Sequence, residues 1–249
     1  MRVLVIDAST YRGSAAVIDG NMVIAAAAIA MRGAHEERLM PAVARVLDAA
    51  GVDVEGLDAV ACGSGPGSFT SLRIAASIAK GIAFAAQRPL YAIPTLLLVA
   101  ATCAPSAGRV LPWLDALRGE VYAACYETGA HGEWMEFQPV MVVPRESLPK
   151  LASTWGASLV SLDGNASRAD ESGTRRSAVM IDGVAPRAAI ASSNDDDGTV
   201  PMAAAAARLT RWLERARPVS LSSWEPAYGR PAEAQARWEA AHGRALPVS

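Results

Sequence analysis

The sequence predicts an α/β protein with two lobes. Three observations support this: strand-like segments open the chain, helix-periodic and β-rich segments alternate after them, and 51% of the residues are hydrophobic. A chain of 249 residues is long for one domain and fits two lobes of roughly 100 residues each. We therefore predict an N-terminal lobe at 1–107, a C-terminal lobe at 108–218, and a tail at 219–249 that packs back on the body.

The first lobe is predicted to begin with three consecutive strands. Residues 2–7, 13–19 and 22–30 are rich in apolar residues, and Gly20-Asn21 is a turn signal between the second and third segments. The chain therefore opens with a β-meander and not with a β-α-β unit.

Helices and strands alternate through the rest of this lobe. Apolar residues recur at helical spacing over 36–50, and Gly51 is a natural C-terminal cap. The other predicted elements are strands at 57–63 and 90–93 and helices at 69–87 and 95–104. The resulting order, β-β-β-α-β-α-β-α, is that of the repeating lobe of the actin/hexokinase/Hsp70 superfold, so we predict an actin-like fold.

The second lobe is less regular in sequence. Paired strands are predicted around a turn at Arg118-Gly119, and a helix is predicted to end before Pro218. The predicted segments are strands at 109–116 and 120–126, exposed loops at 164–178 and 194–198, and a helix at 202–217.

Composition excludes several classes of protein. The formal net charge is −2, the arginines are scattered, and Lys80 and Lys150 are the only lysines, which argues against tight binding to nucleic acid by this chain alone. No apolar run reaches the roughly 18 residues of a membrane span, and the first residues are typical of a strand rather than a signal peptide. These features favour the cytoplasm. Three cysteines without a C-x-x-C motif indicate neither a disulfide framework nor a zinc site.

The loop Gly63–Ser68 resembles a phosphate cradle only superficially. Glycines let backbone N–H groups approach an anion at a helix N-terminus, but no Gly-Lys-Ser/Thr triplet follows, and the spacing is G-x-G-x-G with Pro66 inside. Two interpretations stay open. The loop is either a sharp strand-to-helix turn with Ser68 capping the helix, or a direct contact for a ligand or partner.

The helix that follows has a narrow polar stripe formed by Arg73, Ser77, Lys80 and Gln87. The rest of the helix is apolar or small, whereas an ordinary surface helix hides an apolar face of only about 100°. The segment is therefore either a helix buried within one domain or a helix shared with a partner protein.

Four motifs in order give a specific resemblance. They closely resemble the I-D-T-S-T, H-x-x-x-L-x-P, G-x-G-P-G-S-F-T-G-x-R and D-A-R-x-G-E-V-Y motifs of the TsaB (YeaZ) family. In this chain they are Ile6-Asp7-Ala8-Ser9-Thr10, His35-Glu36 with Leu39-Met40-Pro41, Gly63-Ser64-Gly65-Pro66-Gly67-Ser68-Phe69-Thr70 with Arg73, and Asp115-Ala116-Leu117-Arg118-Gly119-Glu120-Val121-Tyr122. Ser71 and Leu117 depart from the family pattern, and the match fades after residue 126.

The resemblance implies an interaction subunit. Members of this family are expected to heterodimerise with the catalytic subunit TsaD, here through the helices at 36–50 and 69–87. It also implies recruitment of the ATPase TsaE, contact with tRNA only through the complex, and a homodimer when the chain is alone. TsaD then transfers a threonylcarbamoyl group to an adenosine of tRNA. The candidate partner-binding residues are Leu39, Val43, Phe69, Leu72, Arg73, Ala76, Lys80 and Ala83.

The resemblance also implies that this chain has no catalytic residue and no metal of its own. TsaD carries a metal-binding H-x-x-x-H after a strand ending in A-I-P, and Leu97 and Ala101 stand at the two histidine positions here. Neither side chain ligates a metal, so ATP and metal are expected on partner subunits.

Two alternatives stay open. One is a small actin-fold ATPase or kinase that uses Asp7 and the Gly63–Ser68 loop, with Asp7, Ser9, Gly65 and Gly67 as candidate nucleotide contacts. These four residues would be vestigial contacts if the chain is an accessory subunit. The other is a peptidase or a stand-alone protein-binding module of the same fold.

Overall fold

A computed structural model describes residues 1–10, 12–31, 38–103, 108–129, 132–162, 188–189 and 202–229. Within these residues, the chain forms two sheets with helices packed on their faces. The strands are β1 (Arg2–Asp7), β2 (Arg12–Asp19), β3 (Met22–Ala30), β4 (Ala59–Gly63), β5 (Leu90–Ile93), β6 (Gly108–Asp115), β7 (Glu120–Thr128), β8 (Trp134–Pro144), β9 (Ala157–Val160) and β10 (Ala188–Ala189). The α-helices are α1 (Leu39–Ala50), α2 (Phe69–Ala85), α3 (Thr95–Cys103), α4 (Leu148–Trp155) and α5 (Thr210–Arg215).

The first sheet has the order β10-β3-β2-β1-β4-β5. β1 pairs antiparallel with β2 and parallel with β4, and β4 pairs parallel with β5. β1 and β4 are buried almost throughout, as expected for central strands that have a helix layer on each face. The predicted order β-β-β-α-β-α-β-α of the first lobe is therefore confirmed.

Two layers cover this sheet. α1 and α2 pack on one face around Leu4, Val43 and Val60. α3 and a buried 3₁₀ helix at Met202–Leu209 pack on the other face, and the same cluster extends to Tyr122 in the second sheet. The core is thus continuous from the first sheet through α3 to the second.

The second sheet has the order β8-β7-β6-β9. The predicted pair of strands is confirmed: β6 and β7 are antiparallel and joined by a tight turn. Leu117, Arg118 and Gly119 have φ values of 65°, 57° and 78°, and the Asp115 carboxylate accepts a hydrogen bond of 3.0 Å from the Leu117 N–H. Asp115 therefore has a structural role in this turn. β8, α4 and β9 were not predicted.

The boundaries of α1, α2 and α3 agree with the sequence to within three residues. α1 begins at Leu39, which places Pro41 in the first turn, where its missing N–H leaves no hydrogen bond unmade. Gly51 ends α1 in the left-handed conformation, as predicted. The beginning of the predicted 36–50 helix, the predicted loops at 164–178 and 194–198, and the tail beyond residue 229 lie outside the described residues.

The predicted helix at 202–217 needs a correction. Its first half is a 3₁₀ helix and only Thr210–Arg215 is α-helical. Contacts with β2 and with the turn after it fix the segment: the Ala203 N–H donates to Ser14 Oγ (3.0 Å), and the Thr210 hydroxyl donates to the Gly20 carbonyl (2.8 Å). Helix propensity predicted the helix but not these contacts. None of the helices in the described parts of the chain is long and apolar enough to cross a membrane.

Candidate functional site

The carboxyl end of β1 carries a buried aspartate. Asp7 is fully buried, and its carboxylate accepts hydrogen bonds from the Ser9 backbone N–H (3.0 Å) and the Ser9 hydroxyl (2.8 Å). The hydroxyl of Thr95, at the start of α3, donates a longer bond of 3.4 Å. This is the local arrangement in which an aspartate stabilises the turn that follows it. Here it also connects β1 to α3.

The loop Gly63–Ser68 packs directly on this carboxylate. A Cβ at Gly63 would overlap Asp7 Oδ2, and a Cβ at Gly67 would lie 2.8 Å from Ser9 Cα. Glycine is required at both positions because the backbone approaches its neighbours too closely for a side chain. The close approach is to the chain's own atoms.

Three N–H groups of the loop point inward. A phosphate cradle needs such groups to point at the anion. Instead, the bonds are Ser64 N–H to the Ile93 carbonyl (2.8 Å), Gly65 N–H to Thr95 Oγ1 (3.0 Å) and Ser68 N–H to the Ser9 carbonyl (2.8 Å). The four candidate nucleotide contacts, Asp7, Ser9, Gly65 and Gly67, do come together, but as an internal network. The packing favours the strand-to-helix turn, and nucleotide contact stays a prediction.

Ser68 caps α2 differently from the prediction. It occupies the N-cap position, and its carbonyl accepts the Leu72 N–H at 2.9 Å. Its hydroxyl, however, pairs with the Ser71 hydroxyl at 3.0 Å and makes no hydrogen bond to the helix backbone. Ser71, which replaces the family's usual glycine, thus provides the alternative partner.

Burial changes the acidity of Asp7. Removal from water raises the pKa of its carboxyl to about 6, and the hydrogen bonds from Ser9 and Thr95 oppose that shift. In the unfolded chain the carboxyl keeps a pKa near 3.8. Between these two values the folded state binds more protons than the unfolded state, so the contribution of Asp7 to stability falls as pH rises.

An Asp7→Asn variant tests this linkage. A difference of about two pH units between the folded and unfolded pKa corresponds to about 3 kcal/mol. We expect the unfolding free energy of the wild type, minus that of the variant, to fall by up to this amount between about pH 4 and pH 7. Urea unfolding at several pH values measures it. Parallel curves for the two proteins would contradict the burial of an ionisable Asp7.

The two positions at which the family resemblance implies metal-ligating histidines in TsaD lie in the core of this chain. Leu97 and Ala101 are both buried in α3, between the two sheets. Among the residues that the structure describes, no group of three histidine, cysteine, aspartate or glutamate side chains could hold a metal ion. His35, His131 and His242 all lie outside the described residues.

The exposed face of α2 forms a shallow groove, which we call the docking groove. Ile74 and Ile78 make the groove apolar, and the small residues Thr70, Ser77 and, nearby, Gly81 leave room above the helix backbone. Phe84 lies nearly two helical turns beyond Ile78, the last residue of the groove, with 76% of its surface exposed. The docking groove is lined by Phe69, Thr70, Arg73, Ile74, Ser77 and Ile78.

Most of the predicted partner-binding side chains are not on this face. Five are within the core of the first lobe, and none has more than 5% of its surface exposed. They are Leu39, Val43, Leu72, Ala76 and Ala83. These five were predicted to contact a partner, but in the structure they turn toward the sheet, where a partner cannot touch their side chains. Of the predicted set, Phe69, Arg73 and Lys80 reach the surface.

Sequence reasoning missed Ile74 and Ile78, and also two residues of the tail. Glu225 bonds to Lys80 (3.4 Å), and Tyr228 bonds to Arg73 (3.2 Å). The isoleucines could have been found from the helical spacing, since they share a face with Ser77. The sequence predicts that the tail packs back on the body but not which residues of α2 it contacts, because about 150 residues separate the partners.

Comparisons with known proteins agree with this architecture. The family model of tRNA N6-adenosine threonylcarbamoyltransferase (TsaD) matches residues 28–133. The Escherichia coli tRNA threonylcarbamoyladenosine biosynthesis protein TsaB is 35% identical over 161 residues, which cover 62% of this chain and 69% of the relative.

Two solved structures from Pseudomonas aeruginosa are also similar. A protein described as similar to the peptidase YeaZ has a TM-score of 0.63 and 27% identity, covering 92% of this chain and 99% of that one. YeaZ itself has a TM-score of 0.52 and 36% identity, covering 58% of this chain and 69% of that one.

Proposed function

This chain belongs to the TsaB (YeaZ) family of tRNA threonylcarbamoyladenosine biosynthesis proteins, and on that premise we propose that it is a non-catalytic subunit that binds and activates the threonylcarbamoyltransferase. The observation that carries the proposal is the docking groove on α2, an apolar surface at the site where the family resemblance implies a partner. The transferase family model also matches part of this chain, so the proposed partner is a related protein.

The arrangement at the end of β1 supports a subunit without chemistry of its own. Three N–H groups of the loop, those of Ser64, Gly65 and Ser68, bond to the chain itself rather than face a phosphate. Burial raises the pKa of the Cys62 thiol far above neutrality, which keeps it from acting as a nucleophile at neutral pH. The Ser68 hydroxyl pairs with Ser71 rather than with a base. We propose that ATP and metal bind to the partner subunits.

The shape of the docking groove favours a helix as the contacting element. Ser77 and Gly81, one turn apart on the exposed face, allow the backbone of a second helix to approach closely. Ile74, Ile78 and Phe84 supply the apolar surface that such a contact buries. Exposed apolar surface of this kind marks interaction sites.

We also propose a homodimer and a larger complex. A second copy of this chain would occupy the docking groove when the transferase is absent. In the full complex, the transferase would contact tRNA, and a TsaE-like ATPase would join the pair. The net charge of −2 agrees with tRNA binding by another subunit.

The first test is to mix the purified chain with the transferase of the same organism. Light scattering after size exclusion should give one heterodimer, and threonylcarbamoyladenosine formation in a reconstituted assay should require both proteins. Separate elution together with full activity of the transferase alone would refute the proposal. ATP hydrolysis by the lone chain would instead favour an actin-fold ATPase.

A further inference from the structure

The segment Val219–Gly229 crosses the surface of the molecule as a strap. It begins after α5, and the Val219 N–H donates to the Leu90 carbonyl of β5 at 2.8 Å. It then passes along α2, and the Ala227 N–H donates to the Ser64 carbonyl at 2.8 Å. The strap therefore connects the edge of the first sheet to the glycine loop.

The strap ends against the second sheet. Gly229 has a φ of +76°, and a Cβ there would lie 2.6 Å from the Tyr122 ring of β7. A Cβ at Gly65, which has a φ of +90°, would overlap the Ala227 carbonyl oxygen. Both glycines let the strap lie close to the body, so the strap contacts the glycine loop and the second sheet together.

Side chains of the strap hold the polar stripe of α2. The Tyr228 hydroxyl accepts a hydrogen bond from Arg73 Nε (3.2 Å) and donates one to Glu225 Oε2 (2.9 Å). Glu225 Oε1 also lies 3.4 Å from Lys80 Nζ, and that ammonium lies 5.7 Å from the centre of the Trp224 ring. These bonds form one network in which Glu225 pairs directly with Lys80 and, through the Tyr228 hydroxyl, is connected to Arg73.

The same network shapes one wall of the docking groove. The Arg73 guanidinium lies 4.3 Å from the centre of the Phe69 ring, and the Tyr228 ring packs on Phe69 with centroids 4.6 Å apart. Arg73 and Phe69 both line the groove, whereas Glu225 and Tyr228 do not. Two groove side chains are thus fixed by residues from outside the groove.

We propose that the strap pre-organises the docking groove, so that affinity for the partner depends on strap residues that the partner does not touch. This inference rests on the proposed function. Without the strap, Arg73 and Phe69 would become ordered only when the partner binds, at a cost of about 0.5–1.5 kcal/mol for each immobilised side chain. Glu225 is the key positioning residue, because it connects Tyr228 to Lys80.

A Glu225→Lys variant tests the proposal. The side chain of Glu225 is 64% exposed, so the fold tolerates the change, but the new ammonium repels Lys80 and Arg73 and releases the strap. We expect partner affinity, measured by calorimetry with the transferase of the same organism, to fall about tenfold. Hydrogen exchange of the lone protein should rise in the peptides covering 219–229 and 69–77.

Two further variants make the result specific. Glu214→Lys places the same charge change at an exposed position of α5 and should leave affinity and exchange unchanged. The double variant Lys80→Glu with Glu225→Lys swaps the two charges and so restores the ion pair between the strap and α2. It should recover most of the lost affinity. A direct contact between Glu225 and the partner would not be recovered in this way.

The outcomes separate the strap from the proposed function. Faster exchange in 219–229 with unchanged or tighter binding would overturn the proposal, and so would unchanged exchange in 219–229. If the wild type binds no transferase, the proposed function fails. In that case, hydrogen exchange of the lone protein in residues 69–77 still tests whether the strap orders the groove wall. Faster exchange there in Glu225→Lys, but not in Glu214→Lys, would support this ordering. Unchanged exchange in Glu225→Lys would overturn it.

Discussion

Replacement of Gly63 by alanine is expected to destabilise the folded chain by about 3 kcal/mol or more, because the new methyl group has no room. Its Cβ would overlap Asp7 Oδ2. Gly63 ends β4 and pairs with Ile93 of β5, so its backbone has little freedom to withdraw. Asp7 cannot move either, since it is fully buried and bonded to Ser9. Urea or thermal unfolding of the purified variant measures the loss.

Gly81→Ala is the matched control for this prediction. Gly81 lies within α2, and nothing comes within 4 Å of a Cβ placed there. The same substitution should therefore stabilise the chain by about 0.5–1 kcal/mol, because alanine is the better helix former. If Gly63→Ala unfolds at the same denaturant concentration as the wild type, the close packing of β1 and β4 is wrong.

The fold was largely predictable because its signals are local. Turn residues such as Gly20 and Gly51, together with the change from strand to helix periodicity, defined the order of elements in the first lobe. The prediction of an α-helix was wrong for the segment 202–209, since contacts with β2 hold its alanines in a 3₁₀ helix against their propensity. The strands β8 and β9 have only partly buried faces, which weakens the alternation that predicts a strand.

The candidate site was predictable in location but not in detail. The sequence showed that α2 has too much apolar surface for an ordinary surface helix. It could not show which apolar residues the sheet covers. Leu72 and Ala76 lie on the side of α2 that faces the sheet, whereas Ile74 and Ile78 lie toward the surface, and all four are apolar. The strap joins α2 to residues about 150 positions later, a tertiary contact that no local pattern records.

Ser77→Arg is expected to weaken binding of the transferase at least 100-fold, a loss of about 2.7 kcal/mol. Ser77 lies in the middle of the docking groove, where a long cationic side chain would prevent the close approach of a partner helix. It would also bury a charge without a counter-ion in the interface, which is strongly unfavourable. Calorimetry or light scattering with the transferase measures the effect. The residue is exposed, so the lone chain should unfold at the same temperature as the wild type.

Ser153→Arg is the control for this variant, because Ser153 is also an exposed helical serine but lies on α4, on the second sheet. It should bind the transferase as the wild type does, whereas Ser77→Ala, which keeps the groove open, should bind within a few-fold. A folded Ser77→Arg protein that still forms the complex would show that the partner uses another surface. Loss of binding in Ser77→Arg alone would instead assign the interface to the exposed face of α2, since the two arginine variants carry the same charge and differ only in position.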